Sequence, residues 1–424
     1  MHVASKNTRR AVVAGMIGNG MEWYDYALYG QFAALLGLLF FPAVDQTVSL
    51  LATLGVFAAG FIMRPLGAVF FGVIGDRYGR RFSLTLSIFL MAIPTALIGL
   101  LPTYETIGIW APIFLTLIRL LQGFSLGGEM SGSMTYVTEH ASAKHRGLAG
   151  CTSFLSMVLG ILLGLLVASI CVYGLDDEQL KSWGWRLPFL FGIFTCAIGV
   201  YIRTKLDESD LYKEARESGD ISKTPLIDVI KFHKREIFLS MGIVLSVTIP
   251  FYTLTVFMLN YMSGILHYKM EEALLSNACA LLVLVVFIPL AAIVSDKIGR
   301  KPVLLCGVLG FLIFSYPAFY LLKQSDWHLA AMGQMLFAVW VGIYLGAAAA
   351  AMVEMFPTRV RFTGLAISYN LCIAIFGATA PIIMTWLATS LGDLMVSSWY
   401  VISGAVVTLI ALFFYNEKRD AKLL

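Results

Sequence analysis

Charged residues are scarce in this sequence of 424 residues. Asp, Glu, Lys and Arg make up 13% of the chain, whereas apolar residues make up 59% and the mean hydropathy is +0.81. Soluble domains average about 25% charged residues, so this composition excludes a soluble globular protein and a disordered chain. It predicts an integral membrane protein.

The charge that is present forms no basic domain. The formal net charge is +4, but the Lys and Arg residues lie in short segments between apolar runs. Nucleic-acid-binding proteins concentrate basic residues on one face or in one tail. Nucleic acid is therefore not expected as a partner.

Cysteine is also rare, and no CxxC spacing occurs. The six cysteines, Cys151, Cys171, Cys196, Cys279, Cys306 and Cys372, fall inside or at the ends of apolar segments, where they behave as small hydrophobes. The glycine-rich residues 123–132 lack the Lys-Ser/Thr of a phosphate loop, and no nucleophile–base constellation is present. We expect no metal, no cofactor and no enzymatic activity.

Long apolar runs fill the chain instead. About twelve of them reach the roughly 20 residues that a helix needs to cross a bilayer. Six lie in residues 1–202 and six in 237–424, separated by a Lys- and Glu-rich segment at 203–236. We predict an all-α integral membrane protein with twelve transmembrane helices in two pseudo-symmetric six-helix bundles, joined by a linker with a short surface helix.

A charged turn occurs once in each half. Residues 72–81 read GVIGDRYGRR, and residues 295–301 read SDKIGRK, with Asp296 placed 220 positions after Asp76. A second echo places Glu139 shortly before Arg146, and Glu354 shortly before Arg361. Parallel repeats of membrane helices are typical of transporters whose substrate path runs between the halves.

The loops predict the orientation of the chain. Nearly all basic residues fall on one side if both termini are placed inside, as the positive-inside rule requires. We therefore expect a multi-pass protein of the cytoplasmic (inner) membrane, with both termini and the central linker in the cytoplasm.

Ionisable residues inside the predicted spans all lie in the first half. They are Glu22, Asp25, Arg64, Arg119 and Glu129. Each costs about 2.5 to 3.5 kcal/mol at mid-bilayer, so such residues are usually functional. Glu22, Asp25, Arg119 and Glu129 are the candidate proton-coupling residues.

Helix geometry predicts partners for these charges. Glu22 and Asp25 lie on one helix face, where two carboxylates disfavour each other's ionisation and titrate as a unit. Depth along the helices pairs Arg64 with Glu129 and Arg119 with Asp25. The alternative is that such pairs only hold the helices in register.

Aromatic residues surround the two carboxylates on the first helix. Trp23, Tyr24, Tyr26 and Tyr29 suit an ammonium group through cation–π attraction, although packing within a bundle would explain them equally well. The candidate substrate-binding residues are Asn19, Tyr26, Arg64, Gln122, Tyr252, Trp340 and Asn370.

Several of these segments resemble known motifs. Residues 72–81, with a degenerate second copy in which Ala292 replaces the first glycine, resemble the loop 2–3 signature of the major facilitator superfamily, and Arg119-x-x-Gln122-Gly123 resembles its helix 4 motif. GNGMEWYD (18–25), MRPLG (63–67), QGFSLGGE (122–129), WGWRLPF (183–189) and FPTR (356–359) resemble the metabolite:proton symporter family. The match spans nearly the whole chain.

This resemblance implies a proton-coupled importer of a small organic solute that works by alternating access as a monomer. The family imports proline and betaine, 2-oxoglutarate, citrate and shikimate, and the pattern is nearest to its proline/betaine members. The solute is therefore expected to be a zwitterion. The implied conformational switch comprises Gly72, Asp76, Arg77, Gly79, Arg80, Glu139, Asp296 and Arg300.

Three alternatives stay open. An organic-acid symporter could use Arg64 and Arg119 to bind a carboxylate directly. A proton-driven exporter is disfavoured because the fifth helix lacks the Gly-Pro element typical of antiporters in this superfamily. A non-transporting sensor would bind a ligand without uptake.

Overall fold

The structure, a computed structural model, describes residues 6–43, 46–204, 207–324, 326–393 and 395–417. All regular structure in these ranges is helical. A helix satisfies its backbone hydrogen bonds internally, which a chain within lipid requires.

Within the described ranges, twelve helices form the bundle. They are α1 Lys6–Gln31 (continued by Ala33–Phe40), α2 Gln46–Tyr78, α3 Arg80–Leu100, α4 Trp110–Glu139, α5 Arg146–Gly174, α6 Arg186–Thr204, α7 Lys234–Tyr252, α8 Met270–Ile298, α9 Arg300–Leu322, α10 Trp327–Met355, α11 Arg361–Cys372 and α12 Val396–Phe414. Wider π-type turns extend α7 at Thr253–Phe257 and Tyr261–Ile265, and extend α11 at Ile373–Gly377 toward a further helix, Ala380–Ser390. The linker contains two short helices, Asp210–Glu217 and Pro225–Phe232, where the sequence predicted one.

The polar centre of α1 sets this helix apart from the other spans. In the described ranges, ten helices are long and apolar enough to cross a membrane alone, and a pair bent by 44°, Asp177–Gly184 with Arg186–Tyr201, makes up to eleven. Asn19, Glu22 and Asp25 interrupt the apolar run of α1 but are buried within the bundle. Neighbouring helices therefore shield them from lipid.

Helix packing repeats between the two halves. In the first half α1 packs on α5, α2 on α4, and α3 on α4 and α6; in the second, α7 packs on α11, α8 on α10, and α9 on α10 and α12. The halves meet along α2–α11 and α5–α8, which the same pseudo-symmetry exchanges. The division into residues 1–202, 203–236 and 237–424 stays a prediction.

Glycines bring α2 and α4 into backbone contact. A Cβ on Gly67 would lie 1.8 Å from the Phe124 carbonyl oxygen, and one on Gly123 would lie 2.1 Å from that of Gly60. Only glycine permits so close an approach, as in other membrane helix pairs. Near this crossing, Gly60 and Phe61 of α2 line one cavity together with Arg119 and Gln122 of α4.

Candidate functional site

A buried polar cluster joins α1, α3 and α4. Arg119 Nη1 lies 3.0 Å from Asp25 Oδ2 and donates to Gln122 Oε1 at 2.7 Å. The Gln122 amide donates to the same Asp25 oxygen at 3.0 Å and to the Thr95 hydroxyl at 2.8 Å. The guanidinium of Arg119 also lies 3.9 Å from the ring centre of Tyr29. The predicted Arg119–Asp25 pair is therefore present. The Gln122 side-chain amide forms a hydrogen bond to each member of the pair.

The second predicted pair, Arg64 with Glu129, is wrong. Arg64 Nη2 lies 4.0 Å from Glu22 Oε1, and Arg64 Nε donates to Asn370 Oδ1 of α11 at 3.2 Å. The carboxylate of Glu129 instead contacts the Ser87 hydroxyl of α3 at 2.5 Å. Glu22 therefore lies near Arg64, and Asp25 lies near Arg119. The sequence had instead predicted that the two carboxylates interact mainly with each other.

Asn370 links the two halves beside this cluster. Besides accepting from Arg64, its amide donates to the Gly127 carbonyl of α4 at 2.8 Å. Through Asn370, the second half therefore contributes an uncharged amide to this cluster.

The polar cluster opens into a cavity between helices of the first half. Its lining residues are Glu22, Asp25, Tyr26, Gly60, Phe61, Met91, Arg119, Gln122, Gly123 and Leu126. Four predicted site residues besides Glu22 line this cavity, namely Asp25, Tyr26, Arg119 and Gln122. Tyr252 of α7 approaches it through a ring contact with Phe61, with centroids 6.2 Å apart.

Two predicted substrate-binding residues lie elsewhere. The Asn19 amide donates to the Ser153 carbonyl and to the Ser156 hydroxyl, which holds α1 against α5. Trp340 stacks on Phe314, with centroids 4.8 Å apart, at the contact of α9 and α10. Both residues have packing roles in this conformation.

One end of the bundle, here called the signature end, carries both charged turns. In the first lock, the Asp76 carboxylate accepts the backbone N–H groups of Phe362 and Thr363 at 3.2 and 2.8 Å, at the start of α11. Glu139 lies 3.4 Å from Arg80 and 2.7 Å from Arg361. The first lock, defined by Asp76, Arg80, Glu139 and Arg361, is buried and closes α2 and α4 onto α11.

The second lock repeats this arrangement with the halves exchanged. Asp296 accepts the backbone N–H groups of Gly147 and Leu148 at 2.8 and 2.9 Å, at the start of α5. Arg300 lies 2.7 Å from Asp296 and 3.2 Å from Glu354, and Arg146 lies 4.0 Å from Glu354. The second lock is defined by Asp296, Arg300, Glu354 and Arg146.

The remaining switch candidates differ in their contacts. A Cβ on Gly72 would lie 2.8 Å from Thr363 Cα, so Gly72 lets α2 approach α11. Gly79 has a φ of +112°, which favours glycine. Arg77 is exposed and its guanidinium lies over the ring of Tyr78, at 5.7 Å from the centroid.

The cavity lined by buried charges and the two matched locks at the signature end agree with the comparison to protein families. The family model described as "Sugar (and other) transporter" matches residues 11–423. The chain belongs to this family, within the major facilitator superfamily. It is therefore a multi-pass membrane transporter of small solutes and not an enzyme.

Relatives and solved structures agree with that family. The chain is 34% identical to a "Putative proline/betaine transporter" of Staphylococcus aureus (strain COL), over 100% of this chain and 91% of the relative. It is also 34% identical to the "Proline/betaine transporter" of Escherichia coli (strain K12), over 98% and 85%. The proton:xylose symporter XylE has the same fold, with a TM-score of 0.82 at 19% identity, covering 99% of this chain and 98% of that one. The predicted twelve-helix fold is confirmed.

Sequence reasoning missed two acidic residues of the transporter. One, Glu208, follows the sixth helix of the first half, and the other, Glu417, follows the sixth helix of the second half. The Glu208 carboxylate accepts the Arg81 backbone N–H at 3.2 Å, at the start of α3. Glu417 accepts those of Arg300 and Lys301 at 2.5 and 3.1 Å, at the start of α9. Burial raises the pKa of the Glu208 carboxyl, against an opposing effect of the Arg80 guanidinium. The matched positions of the two acids after α6 and α12 were the available signal.

Proposed function

We propose that this transporter is a proton-coupled symporter that imports a small organic zwitterion, such as proline or betaine, by alternating access. It acts as a monomer in the cytoplasmic membrane, with both termini and the linker inside the cell. The names of the relatives support the solute class, and the loop charges support the orientation.

The observation that carries the proposal is the Asp25–Arg119–Gln122 cluster. Asp25 and Arg119 compensate each other in a buried site, with their side chains both 7% exposed. A proton on Asp25 would cancel its charge and leave Arg119 with a surplus positive charge in low dielectric. That surplus charge makes the electrostatic potential of the whole site more positive, which favours a solute whose carboxylate binds nearby, so proton and solute bind together.

Alternating access then follows from the locks. The contacts of both locks join the two halves only while the signature end is closed. Binding of proton and solute would favour the conformation in which these contacts break. Glu22, Glu129 and the Arg64–Asn370 contact complete the proposed coupling and binding region.

The available driving force is sufficient. One charge that crosses ~150 mV gains roughly 3.5 kcal/mol. At ~1.4 kcal/mol per tenfold ratio, this supports accumulation of a neutral or zwitterionic solute by a few hundredfold.

Uptake into proteoliposomes tests the proposal. Labelled proline, glycine betaine, 2-oxoglutarate, citrate and shikimate are each offered with and without an inward proton gradient. We expect one zwitterion to accumulate only with the gradient. Asp25→Asn should abolish this accumulation and spare solute exchange, because the variant mimics the protonated state, whereas exposed Asp210→Asn serves as the control. Equal accumulation by Asp25→Asn and the wild type would refute the assigned carrier.

An organic-acid symporter is the second candidate. Arg64 Nη2 is buried and makes no hydrogen bond in the structure, so it could bind a carboxylate of a di- or tricarboxylic acid. Strong competition of labelled betaine uptake by 2-oxoglutarate or citrate would favour this candidate.

A further inference from the structure

Five aromatic rings from both halves form one cluster near the middle of the spans. Trp23 and Tyr26 come from α1, Phe61 from α2, and Phe251 and Tyr252 from α7. Neighbouring ring centroids lie 5.1 to 6.2 Å apart, and the cluster is largely buried. This aromatic cluster is one of the places where the halves touch away from the locks.

The aromatic cluster borders a charged pair. Tyr26, Phe61 and Glu22 line the same cavity, and the Arg64 guanidinium carbon lies 5.8 Å from the Phe61 ring centre. An aromatic contact that served packing alone would need no such neighbours. Ring faces beside a carboxylate and an arginine offer one surface for a cation and another for an anion.

Buried donors around the aromatic cluster await an acceptor. Trp23 Nε1, Tyr252 Oη and Arg64 Nη2 are buried and make no hydrogen bond in the structure. Buried polar groups nearly always have a hydrogen-bond partner. Two such donors on the aromatic cluster, and a third on the neighbouring Arg64 at 4.0 Å from Glu22, therefore require an explanation. A carboxylate that arrives with the solute would supply acceptors to them.

The chemistry of the cation follows from the rings. A fully methylated ammonium has no N–H to donate and cannot be selected by hydrogen bonds. It is selected by aromatic faces and a nearby negative charge. Phe61 and Phe251 carry no polar atom and match this requirement.

We infer that the aromatic cluster is the subsite for a quaternary ammonium group, with Glu22 as its counter-charge and Arg64 as the partner of the solute carboxylate. This rests on the proposed function and narrows the zwitterion to a methylated one. The rings touch each other here, so α7 has to move away from α1 to admit the group. The π-type turn at Thr253–Phe257, directly after Tyr252, is a place where α7 can bend.

A pair of matched ligands tests the inference. Binding of glycine betaine and of 3,3-dimethylbutanoate, which has the same shape but a neutral tert-butyl group, is measured by calorimetry on the protein in nanodiscs. We expect betaine to bind more tightly by roughly tenfold or more, since several rings each contribute to binding of a cation. Equal affinities would overturn the inference.

Ring variants locate the effect. Phe61→Leu and Phe251→Leu should each reduce the preference for betaine over its isostere by about three- to tenfold, whereas Phe61→Tyr should keep it. Phe319→Leu is the control, because that ring packs against Phe257 in the second half, 6.1 Å between centroids, outside the aromatic cluster. An unchanged preference in both leucine variants, with intact chromatographic profiles, would contradict the subsite.

The two proposals fail in different ways. If proline accumulates with the proton gradient but betaine does not bind, the quaternary ammonium subsite is wrong and symport of a zwitterion stands. If no zwitterion accumulates with the gradient, the proposed function is wrong as well.

Discussion

The two locks at the signature end are each built from one Asp, one Glu and two Arg residues but differ in the ion pair that joins the two halves. In the first lock, Arg361 lies 2.7 Å from Glu139, whereas its counterpart Arg146 lies 4.0 Å from Glu354 in the second. The Asp76 side chain is fully buried, whereas that of Asp296 is 8% exposed. A pseudo-symmetric fold thus closes one side of its interface more firmly than the other.

The linker accounts for part of this difference. The Ser209 hydroxyl donates to Glu139 Oε2 at 2.7 Å, and the Arg80 guanidinium lies 4.6 Å from the ring centre of Tyr212. Arg80 also donates to the Thr358 carbonyl at 2.6 Å. The first lock is therefore covered by a segment that contacts both α3 and the α4 terminus, and it should dominate closure.

Loss of the central carboxylates gives the largest expected effect. Glu139→Gln leaves Arg361 buried without its carboxylate, which costs about 3 to 5 kcal/mol in the closed conformation. Glu354→Gln should cost less, because Arg146 lies 4.0 Å from Glu354 and loses a weaker ion pair, while Arg80 and Arg300 each keep an aspartate. Spin labels at exposed Arg77 and Lys297, in a cysteine-depleted background, report the separation of the halves by pulsed electron resonance. A larger opening in Glu354→Gln than in Glu139→Gln would reverse the ranking of the locks.

Loss of the capping aspartates should have a smaller effect. Asp76→Asn and Asp296→Asn each weaken two hydrogen bonds to backbone N–H groups across the interface, with an expected cost of about 1 to 3 kcal/mol. Amide hydrogen exchange at Thr363 reports the first site, and exchange at Leu148 reports the second. We expect faster exchange at the mutated site only, and equal acceleration at both would show that the locks open as one unit.

Loss of the acids after α6 and α12 should have the smallest effect. Glu208→Gln and Glu417→Gln each weaken a cap on the first turn of α3 or α9, which is worth about 0.5 to 2 kcal/mol. Thermal unfolding in detergent measures the loss, with Glu105→Gln as an exposed control. Because Glu417 accepts two N–H groups and Glu208 only one from that turn, Glu417→Gln should lower the melting temperature more. A larger decrease in melting temperature for Glu208→Gln would show that the cap formed by the linker residue contributes more to stability.

The sequence predicted the depth of each charged residue along its helix. It did not predict the direction in which the side chain points around the helix axis. Counting turns correctly paired Arg119 with Asp25, which lie at the same depth. The same count failed for Arg64 because α2 and α4 touch through their backbones. A Cβ on Gly127 would lie 2.3 Å from the Arg64 carbonyl oxygen, so the Arg64 side chain extends toward α1 and α11. The glycines that allow two helices to cross closely do not reveal, in the sequence, toward which neighbouring helices the other side chains point.

The spacing of residues in the sequence did not distinguish side chains that line the cavity from those that pack between helices. Asn19 and Trp340 have the spacing of cavity residues but pack between α1 and α5 and between α9 and α10. Phe61 was overlooked because a phenylalanine in an apolar run has no distinguishing signal. The twelve spans and the repeated turns were predictable, since hydropathy and duplication act over many residues.

The acids Glu208 and Glu417 also bear on the history of the chain. Each half ends in a short tail that returns to its own third helix, so the duplicated unit comprised six helices together with a tail. The segment between the helices Asp210–Glu217 and Pro225–Phe232 then lies between the tail of the first unit and the start of the second. Gly219, exposed and at a φ of +74°, lies in that segment. A gene split there would encode two half-proteins, each with the contacts of its own six-helix body. They would meet through the locks, the membrane-embedded interface and the two linker helices, because Asp210–Glu217 contacts Thr358–Val360 and Pro225–Phe232 contacts α2.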